Sequence, residues 1–252
     1  MRGLFNFENQ LFRIMGAHNR MKYKPSVYEK FIKRLFDIIL CSIALIILLP
    51  LYIFVAVGIK TCSPGPVFYR SDRAGKNKKA FRFFKFRSMH VTNNDKHMYV
   101  ADSERLFPFG RLIRRLKLDE LPQLINVIIG DMSIVGPRPM PLKTAEWFYS
   151  GEYEPVSWIR PGLTSAASLF DYTVGDTYTD NDAYIREIVP IKRELELMYF
   201  EKQGFIYDAS LVWRTVVTIV SVFLGEKRFS EQPELAEAKQ RVLRRRESDE
   251  RQ

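Results

Sequence analysis

The stretch Ile38–Ile59, IILCSIALIILLPLYIFVAVGI, runs for 22 residues without a charge between Asp37 and Lys60. As a helix rising about 1.5 Å per residue it reaches roughly 33 Å, which is bilayer thickness. Pro50 lies inside the run, where it removes a helical hydrogen bond and bends the axis. Basic residues flank both ends: Lys30, Lys33 and Arg34 before it, and Arg70, Arg73, Lys76, Lys78 and Lys79 after it. Cytoplasmic flanks prefer Lys and Arg, so a helix that returns to one face satisfies both ends, whereas a spanning helix satisfies one. The residues alone leave both topologies open.

Composition narrows the class of protein. The chain has 252 residues, a net charge of +10, 46% hydrophobic and 13% aromatic residues, which excludes a disordered polyelectrolyte. The positive balance favours a polyanionic partner: a nucleic acid, an anionic membrane surface or a phosphorylated substrate. The apolar run has no place in a nucleic-acid-binding protein, so we expect no nucleic acid partner. Cys41 and Cys62 have neither metal nor redox spacing, and the motifs GxGxxG and GxxxxGK[ST] are absent, which argues against hydride transfer and P-loop hydrolysis.

The chain divides into four segments. We expect an amphipathic N-terminal extension over 1–29, a membrane helix over 30–62, a compact α/β or mainly helical domain over 63–224 and a charged tail over 225–252. In the tail, Leu235, Ala238 and Val242 recur at helical spacing, so a solvated helix or a partly disordered end is expected.

Two further segments contain apolar residues at helical spacing. Leu106–Lys117 places five apolar residues on one arc and four basic residues elsewhere, which suits either a helix in the headgroup layer or an ordinary surface helix. Leu211–Leu224 is apolar but interrupted by Arg214 and too short to span a bilayer, which indicates a buried or interfacial element.

The pair Asp119-Glu120, followed by Pro122, is the densest chemical signal. Asp is a preferred N-cap and Pro is favoured in a first turn, so Asp119 is predicted at the start of a helix, where phosphate also binds. Adjacent helical carboxylates project about 100° apart, so one can face a phosphorus atom while the other holds a divalent cation. The alternative is that Asp119 only caps the helix and Glu120 faces water. The triplet Asp180-Asn181-Asp182 matches a loose metal-binding DxD pattern that occurs often by chance.

Several cations accompany the acidic pair. Arg138 stands between Pro137 and Pro139, which restrict the backbone that presents its guanidinium to a phosphate. Lys85, Arg87 and Arg114 add positive charge, although each alone is also compatible with a solubilising surface residue.

The ordered motifs of the chain resemble those of the bacterial sugar transferase family, the monotopic phosphoglycosyl transferases. The resemblance covers about Lys33 to Val217 and rests on these blocks: Lys33-Arg34 with Asp37, Ser63–Arg70 with Arg73 and Gly75, Lys85–Met89, Leu118–Leu124, Asn126-Val127, Gly130–Pro139 and Arg160–Thr164. The chain departs from the common pattern after Thr164, where many members have Gly-Trp-Ala-Gln and this one has Ser165-Ala166-Ala167-Ser168. That departure concerns sugar specificity rather than the reaction.

The resemblance implies a fold and a reaction. The fold would be α/β and mainly helical, a compact membrane-associated catalytic domain with a re-entrant N-terminal helix broken at Pro50 and interfacial amphipathic helices. Asp119 would attack a nucleotide diphosphate sugar, usually a UDP-sugar, and the phosphosugar would pass to polyprenyl phosphate. Glu120 would bind Mg²⁺, and the substrates would contact Lys85, Arg87, Arg114, Arg138, Pro137 and Pro139.

The implied location is the bacterial inner membrane, with the catalytic domain on the cytoplasmic face and the lipid bilayer as a partner. Two alternatives remain: the same fold acting on an unusual nucleotide-activated donor, and a catalytically silent anchor that recruits glycan enzymes. The residues carry no information on oligomeric state.

Overall fold

The computed structural model describes residues 23–91, 105–175, 178–226 and 231–249. Within these ranges the chain is mostly helical and carries two two-stranded sheets, so the expected mainly helical α/β class is confirmed. The amphipathic extension expected over 1–29 lies outside the described residues up to position 22.

The apolar run forms two helices joined at a sharp bend. A π-helical turn (Tyr28–Ile32) leads into α1 (Lys33–Ile47), and α2 (Leu49–Cys62) follows after Leu48. The chain direction changes by 62° at this point. Pro50 lies in the first turn of α2, where its missing N–H and its ring disfavour one continuous helix. Both helices expose large apolar side chains, among them Ile39, Leu40, Ile43, Ile46, Ile47, Leu49, Ile53, Phe54 and Val57.

The bent helical pair is tied to the rest of the chain by polar contacts. Arg34 of α1 donates hydrogen bonds to the carbonyls of Val127 and Ile128, the latter at 2.7 Å. Asp37 accepts a hydrogen bond of 3.0 Å from the Ile134 N–H. These contacts provide hydrogen-bond partners for carbonyls at the end of a short helix and for an N–H group of a strand.

The two sheets are small and separate. Strands β1 (Phe68–Ala74) and β2 (Ala80–Phe86) form an antiparallel hairpin whose register pairs Phe68 with Phe86 and Ala74 with Ala80. Strands β3 (Ser133–Val135) and β4 (Gly162–Thr164) pair in parallel. Just beyond β3, a Cβ on Gly162 would lie 2.0 Å from the Gly136 nitrogen, so this crossing of two backbones requires glycine.

Helices build the remainder of the domain, and the buried apolar side chains of the described residues form three clusters. In chain order the helices are α3 (Pro108–Arg115), α4 (Gln123–Ile129), α5 (Leu142–Phe148), α6 (Ala166–Thr173), α7 (Asn181–Lys202), α8 (Phe205–Phe223) and α9 (Leu235–Asp249). A 3₁₀ segment (Gly151–Trp158) connects α5 to β4. The largest buried cluster joins α5, α6 and α7, with Tyr199 and Met198 among its fully buried members.

Helix α3 is shorter than the predicted Leu106–Lys117 segment. Pro108 starts it, and Lys117 lies beyond it in the left-handed region. The Phe109 ring meets Phe54 of α2 edge-on, with centroids 6.0 Å apart. A Cβ on Gly58 would lie 2.4 Å from the Phe109 ring, so the glycine permits this close contact. Helix α3 therefore packs directly against the bent helical pair.

Helix α8 is longer than expected from the apolar stretch Leu211–Leu224. The inference that this element is too short to span a bilayer was wrong. Its 19 residues are long and apolar enough to cross a membrane by length and composition, and 11% of that window is buried. In the sequence, Asp208 interrupts the apolar pattern before Leu211. Asp208 is buried, forms an ion pair with Lys33 and accepts a hydrogen bond of 2.9 Å from the Tyr199 hydroxyl.

The charged tail contains the predicted helix, but that helix is not solvated on all sides. Leu235, Ala238 and Val242 of α9 are buried, and α9 packs along α7. The Arg214 guanidinium of α8 donates two hydrogen bonds of 2.8 Å to Glu234, just before α9. The last helix is therefore part of the folded domain.

Candidate active site

The acidic pair lies in a short 3₁₀ turn, Leu118–Glu120, between α3 and α4. Lys117, with a φ of 54°, turns the chain out of α3, and its carbonyl accepts a hydrogen bond of 3.1 Å from the Glu120 N–H. The prediction that Asp119 starts a helix with Pro122 just inside it was wrong. The turn separates Asp119 from α4, which begins only after Pro122.

Asp119 is completely buried and faces a lysine from the neighbouring hairpin. Lys85 of β2 places its Nζ 2.7 Å from Asp119 Oδ2, and Asp119 has an exposed fraction of 0%. Among the described residues, neither Asp119 oxygen accepts a well-aligned hydrogen bond, so the ion pair is what compensates its charge. A buried carboxylate with unused lone pairs is a candidate nucleophile.

Glu120 meets two cations at the edge of the same site. Its Oε1 lies 3.6 Å from Lys85 Nζ and 3.7 Å from Arg138 Nη2. Burial acts to raise the pKa of Glu120, but the charges of four surrounding cations outweigh it and hold the pKa at about 2; these are Lys85, Arg138, Lys117 and Arg114. Glu120 is therefore ionised at neutral pH, as a ligand of a divalent cation must be.

Arg138 is held in place through its backbone. Its N–H donates a hydrogen bond of 2.9 Å to Glu196 of α7, and its carbonyl accepts one of 2.9 Å from the Tyr149 hydroxyl. Pro137 and Pro139 on either side are buried. With the peptide groups fixed, the guanidinium projects toward Glu120 from a rigid support.

Of the two remaining predicted cations, Arg114 lies at the site and Arg87 does not. Arg114 is half-buried near the end of α3 and contributes to the positive field at Glu120. Arg87 is buried elsewhere: it donates hydrogen bonds of 2.7 Å to the Pro66 carbonyl and 2.8 Å to Ser63 Oγ. These contacts indicate that Arg87 secures the chain leaving α2 rather than binding substrate, because its planar fork is already occupied.

An apolar groove of about 260 Å³ opens beside the acidic pair, between α6 and α8. We call it the α6–α8 groove. Its walls carry Leu163, Leu169, Val212, Val216 and Ile219, and its polar end carries Lys117, Glu120 and Arg138. The Lys117 ammonium lies 4.2 Å from the centroid of the Tyr172 ring, which also lines the groove. Thr164 and Thr215 are hydrogen-bonded at 2.7 Å and connect β4 to α8 there.

The residues at the site fit a magnesium ion held largely by substrate and water. In the part of the chain that the structure describes, no group of three or more His, Cys, Asp or Glu side chains forms a metal site. Mg²⁺ characteristically takes one or two protein carboxylates and fills its other positions with water and phosphate oxygens. This requirement is met by Glu120, which is ionised and lies at the groove, and by Asp119, whose oxygens accept no well-aligned hydrogen bond from the described residues.

The DxD triplet has a structural role instead. Asp180 is the N-cap of α7, where its carboxylate accepts hydrogen bonds from the N–H groups of Asp182, at 3.1 Å, and Ala183, at 3.2 Å.

A second buried polar cluster lies behind Arg138. The Lys192 ammonium lies 2.9 Å from Asp171 Oδ2 and donates a hydrogen bond of 2.7 Å to the Tyr184 hydroxyl. Burial acts to raise the pKa of Asp171, but Lys192 and Arg138 lower it below its usual value. This cluster fixes the end of α6, which forms one wall of the groove.

Sequence reasoning missed Lys117 and Glu196 as parts of the site. Lys117 directly precedes the acidic motif, so its position could have suggested a role. Glu196 carries no such signal, because it lies in a charged stretch of α7 that is typical of a solvated helix.

The comparisons of the chain with known proteins agree on one family. The profile of the bacterial sugar transferase family matches residues 28–222. The chain is 35% identical over 204 residues to an Aeromonas hydrophila protein named UDP-N-acetylgalactosamine-undecaprenyl-phosphate N-acetylgalactosaminephosphotransferase, a match that covers 79% of this chain and 46% of that protein.

Two further relatives show the same level of similarity. A UDP-glucose:undecaprenyl-phosphate glucose-1-phosphate transferase of Escherichia coli K12 is 35% identical, with 75% of this chain and 40% of that protein covered. The exopolysaccharide production protein PSS of Rhizobium leguminosarum bv. phaseoli is 35% identical over 74% of this chain and 94% of its own length. The chain thus spans less than half the length of the first two relatives and nearly all of the third.

Proposed function

This chain belongs to the bacterial sugar transferase family, and from that membership we propose that it transfers a sugar 1-phosphate from a nucleotide diphosphate sugar to a polyprenyl phosphate. The donor is a UDP-sugar and the acceptor undecaprenyl phosphate, as in the names of the relatives. The product starts assembly of a surface glycan such as an exopolysaccharide. The supporting observation is the buried Asp119 with unused oxygens, surrounded by cations at the polar end of an apolar groove.

In the first step Asp119 acts as the nucleophile. One carboxylate oxygen forms a bond to the phosphorus that carries the sugar, and the bond from that phosphorus to the bridging oxygen breaks. Nucleoside monophosphate leaves with the bonding electrons, and an aspartyl phosphosugar remains. Lys85, 2.7 Å from Asp119, and Arg138 offset the negative charge that would otherwise repel a carboxylate from a diphosphate.

In the second step a phosphate oxygen of the acceptor attacks the same phosphorus. The bond between phosphorus and Asp119 breaks, the carboxylate is restored and polyprenyl diphosphate sugar is released. Splitting the transfer into two displacements at one phosphorus replaces one difficult encounter of two anions with two easier ones. It also requires ping-pong kinetics.

Magnesium is part of the proposal, since transferases of this family are generally dependent on divalent metals. Glu120 and the donor phosphates would hold the ion, which when bound would neutralise charge on the diphosphate. Glu120 is suited to this because the surrounding cations keep it ionised.

We also propose the membrane arrangement. The bent pair α1–α2 enters the bilayer and returns to the same face, with Pro50 at its turn, and the segment 63–224 lies on the cytoplasmic face of the inner membrane. The 62° bend, the exposed apolar side chains and the basic flanks support this topology.

The experiment that tests the reaction is nucleotide release by Asp119→Asn. Asn keeps the size of the side chain but is a far weaker nucleophile, so we expect Asp119→Asn to remain membrane-bound and release no nucleoside monophosphate from a UDP-sugar. The wild-type protein, incubated with donor and no acceptor, is expected to release one equivalent and to show the phosphosugar adduct on Asp119 by mass spectrometry.

Full turnover by Asp119→Asn would refute the nucleophile assignment. No release by the wild-type protein with any common UDP-sugar would instead favour an unusual donor or a silent anchor. Asp131→Asn serves as the matched control, because Asp131 follows α4 outside the acidic turn and its substitution should leave nucleotide release unchanged.

A further inference from the structure

The α6–α8 groove differs in chemistry along its length. One end carries the charged groups Lys117, Glu120 and Arg138 beside the acidic turn, and most of the remaining lining is aliphatic. The other polar side chains of the lining are hydroxyls, and two of these, Thr164 and Thr215, are hydrogen-bonded to each other. A ligand that matches this lining has an anionic head and an apolar chain. A sugar or a nucleoside matches it less well, because most of its hydroxyls would face aliphatic side chains.

Helix α8 contributes two adjacent apolar strips. Val212, Val216 and Ile219 line the groove, and Trp213, Val217 and Val220 form the neighbouring strip, with exposed fractions of 69%, 44% and 50%. The two strips follow the same i, i+4, i+7 spacing, shifted by one residue. The apolar lining of the groove is therefore continuous with an apolar face on the outside of the same helix.

We propose that the α6–α8 groove holds the prenyl units of the acceptor that lie nearest its phosphate, with that phosphate at Lys117 and Arg138. The inference rests on the proposed function and goes beyond it, because it assigns the acceptor chain to a surface of α6 and α8.

The size of the groove limits how much of the chain it can hold. An apolar cavity of about 150 Å³ is large enough for benzene. At about 260 Å³, the groove has room for roughly two five-carbon prenyl units by the same measure. Recognition is thus confined to the units next to the phosphate, and short and long prenyl phosphates should use the groove equally.

The test fills the groove with a larger side chain and measures the two half-reactions separately. In Val216→Trp the indole occupies the space of the prenyl units. With the full-length protein in detergent micelles and a UDP-sugar the wild type accepts, we expect nucleotide release without acceptor to stay within about twofold of wild type. Transfer to undecaprenyl phosphate should fall at least about tenfold, through a higher KM for the acceptor, because apolar burial of the chain is lost.

Three companion measurements keep the result decisive. Val217→Trp places the same indole one residue further, on the outer strip, and should leave both half-reactions intact. Geranyl phosphate, with two prenyl units, should compete with the long acceptor in the wild type and lose that ability in Val216→Trp. Leu169→Trp fills the groove from the α6 side and should reproduce the defect if Val216→Trp does not fold.

The results of the two half-reactions distinguish the acceptor proposal from its alternatives. Normal acceptor transfer by a folded groove-filled variant would overturn the proposal. Loss of donor-only nucleotide release in both groove-filled variants, with Val217→Trp unaffected, would assign the groove to the donor and also overturn it. Absence of donor-only release in the wild type would count against the two-step reaction instead.

Discussion

At the scale of single residues, the site depends on charges that balance one another in a buried setting. Asp119 has no exposed surface, and the ammonium of Lys85 is 2.7 Å away. Removing one partner of such a pair leaves an uncompensated charge, which is more damaging than the pair is stabilising. The same logic applies to Glu120, whose low pKa reflects the surrounding cations, of which Lys117 and Arg138 line the groove. A buried cluster of charges of this kind is weak evidence for a role in stability.

Glu196 is a buried carboxyl group that positions the backbone of Arg138. Burial raises the pKa of Glu196 from 4.5 to about 7, although the hydrogen bond from the Arg138 N–H and the charge of Lys192 oppose the rise. Between these two values the native carboxyl keeps a proton that the unfolded chain has released, so raising the pH destabilises the fold across this window.

We therefore expect Glu196→Gln to remove one component of the pH dependence of stability. The amide oxygen can still accept the Arg138 N–H hydrogen bond, and no carboxyl remains to ionise. Relative to wild type, the variant should gain up to about 3 kcal/mol in free energy of unfolding from about pH 5 to about pH 8. Thermal unfolding in detergent at both pH values measures this difference; an unchanged difference would contradict the assignment.

At the scale of elements, the bent pair α1–α2, which we propose as the membrane attachment, also contacts the backbone around the site. Arg34 of α1 contacts the last carbonyls of α4, and the Tyr52 hydroxyl of α2 donates a hydrogen bond to the Leu121 carbonyl directly after the acidic pair. Helix α2 thus contacts the backbone next to the acidic pair, and α1 contacts the far end of the helix that follows it.

The proposed return of α2 to the face from which α1 enters leads to a labelling prediction. Single cysteines are introduced at Lys30 and, separately, at Asp72, both exposed, after Cys41 and Cys62 are replaced by Ser. A membrane-impermeant thiol reagent applied outside intact cells should label neither site, and both should react after lysis. Labelling of one position only in intact cells would establish a spanning helix.

At the scale of the whole molecule, the charged C-terminal segment belongs to the folded domain. Ala238 has an exposed fraction of 0%, and Arg245 of α9 forms ion pairs with Glu194 of α7 and with Glu152. Helix α9 therefore supports α7, the helix that presents Glu196 to Arg138. The last helix and the site are connected through one rigid element.

A substitution on the buried face of α9 should accordingly destabilise the domain. We expect Ala238→Asp to lower the free energy of unfolding by about 3 kcal/mol, because it buries a carboxylate without a partner. Gln240→Asp, two residues further along the same helix and exposed, should change it by less than about 0.5 kcal/mol. Equal thermal unfolding of the two variants would show that α9 does not pack as described.

The sequence by itself determined the membrane-directed apolar run, the mainly helical class and the residues of the acidic motif. These follow from local properties: an uncharged stretch, helical periodicity and an unusual order of charged residues and prolines. The structure places Lys85 beside both carboxylates and Arg138 beside Glu120. The expectation that these residues share a site came from a resemblance and not from spacing.

Only the tertiary structure decided which cations face the carboxylates and which are occupied elsewhere. Arg87 and Arg138 are both arginines in basic or proline-rich motifs, yet Arg87 is committed to Ser63 and Pro66 while Arg138 reaches Glu120. Burial of Glu196 and the groove between α6 and α8 likewise depend on helices distant in the chain. Long-range packing sets these contacts, and a local pattern of residue types does not contain that information because it cannot specify which distant side chains become neighbours.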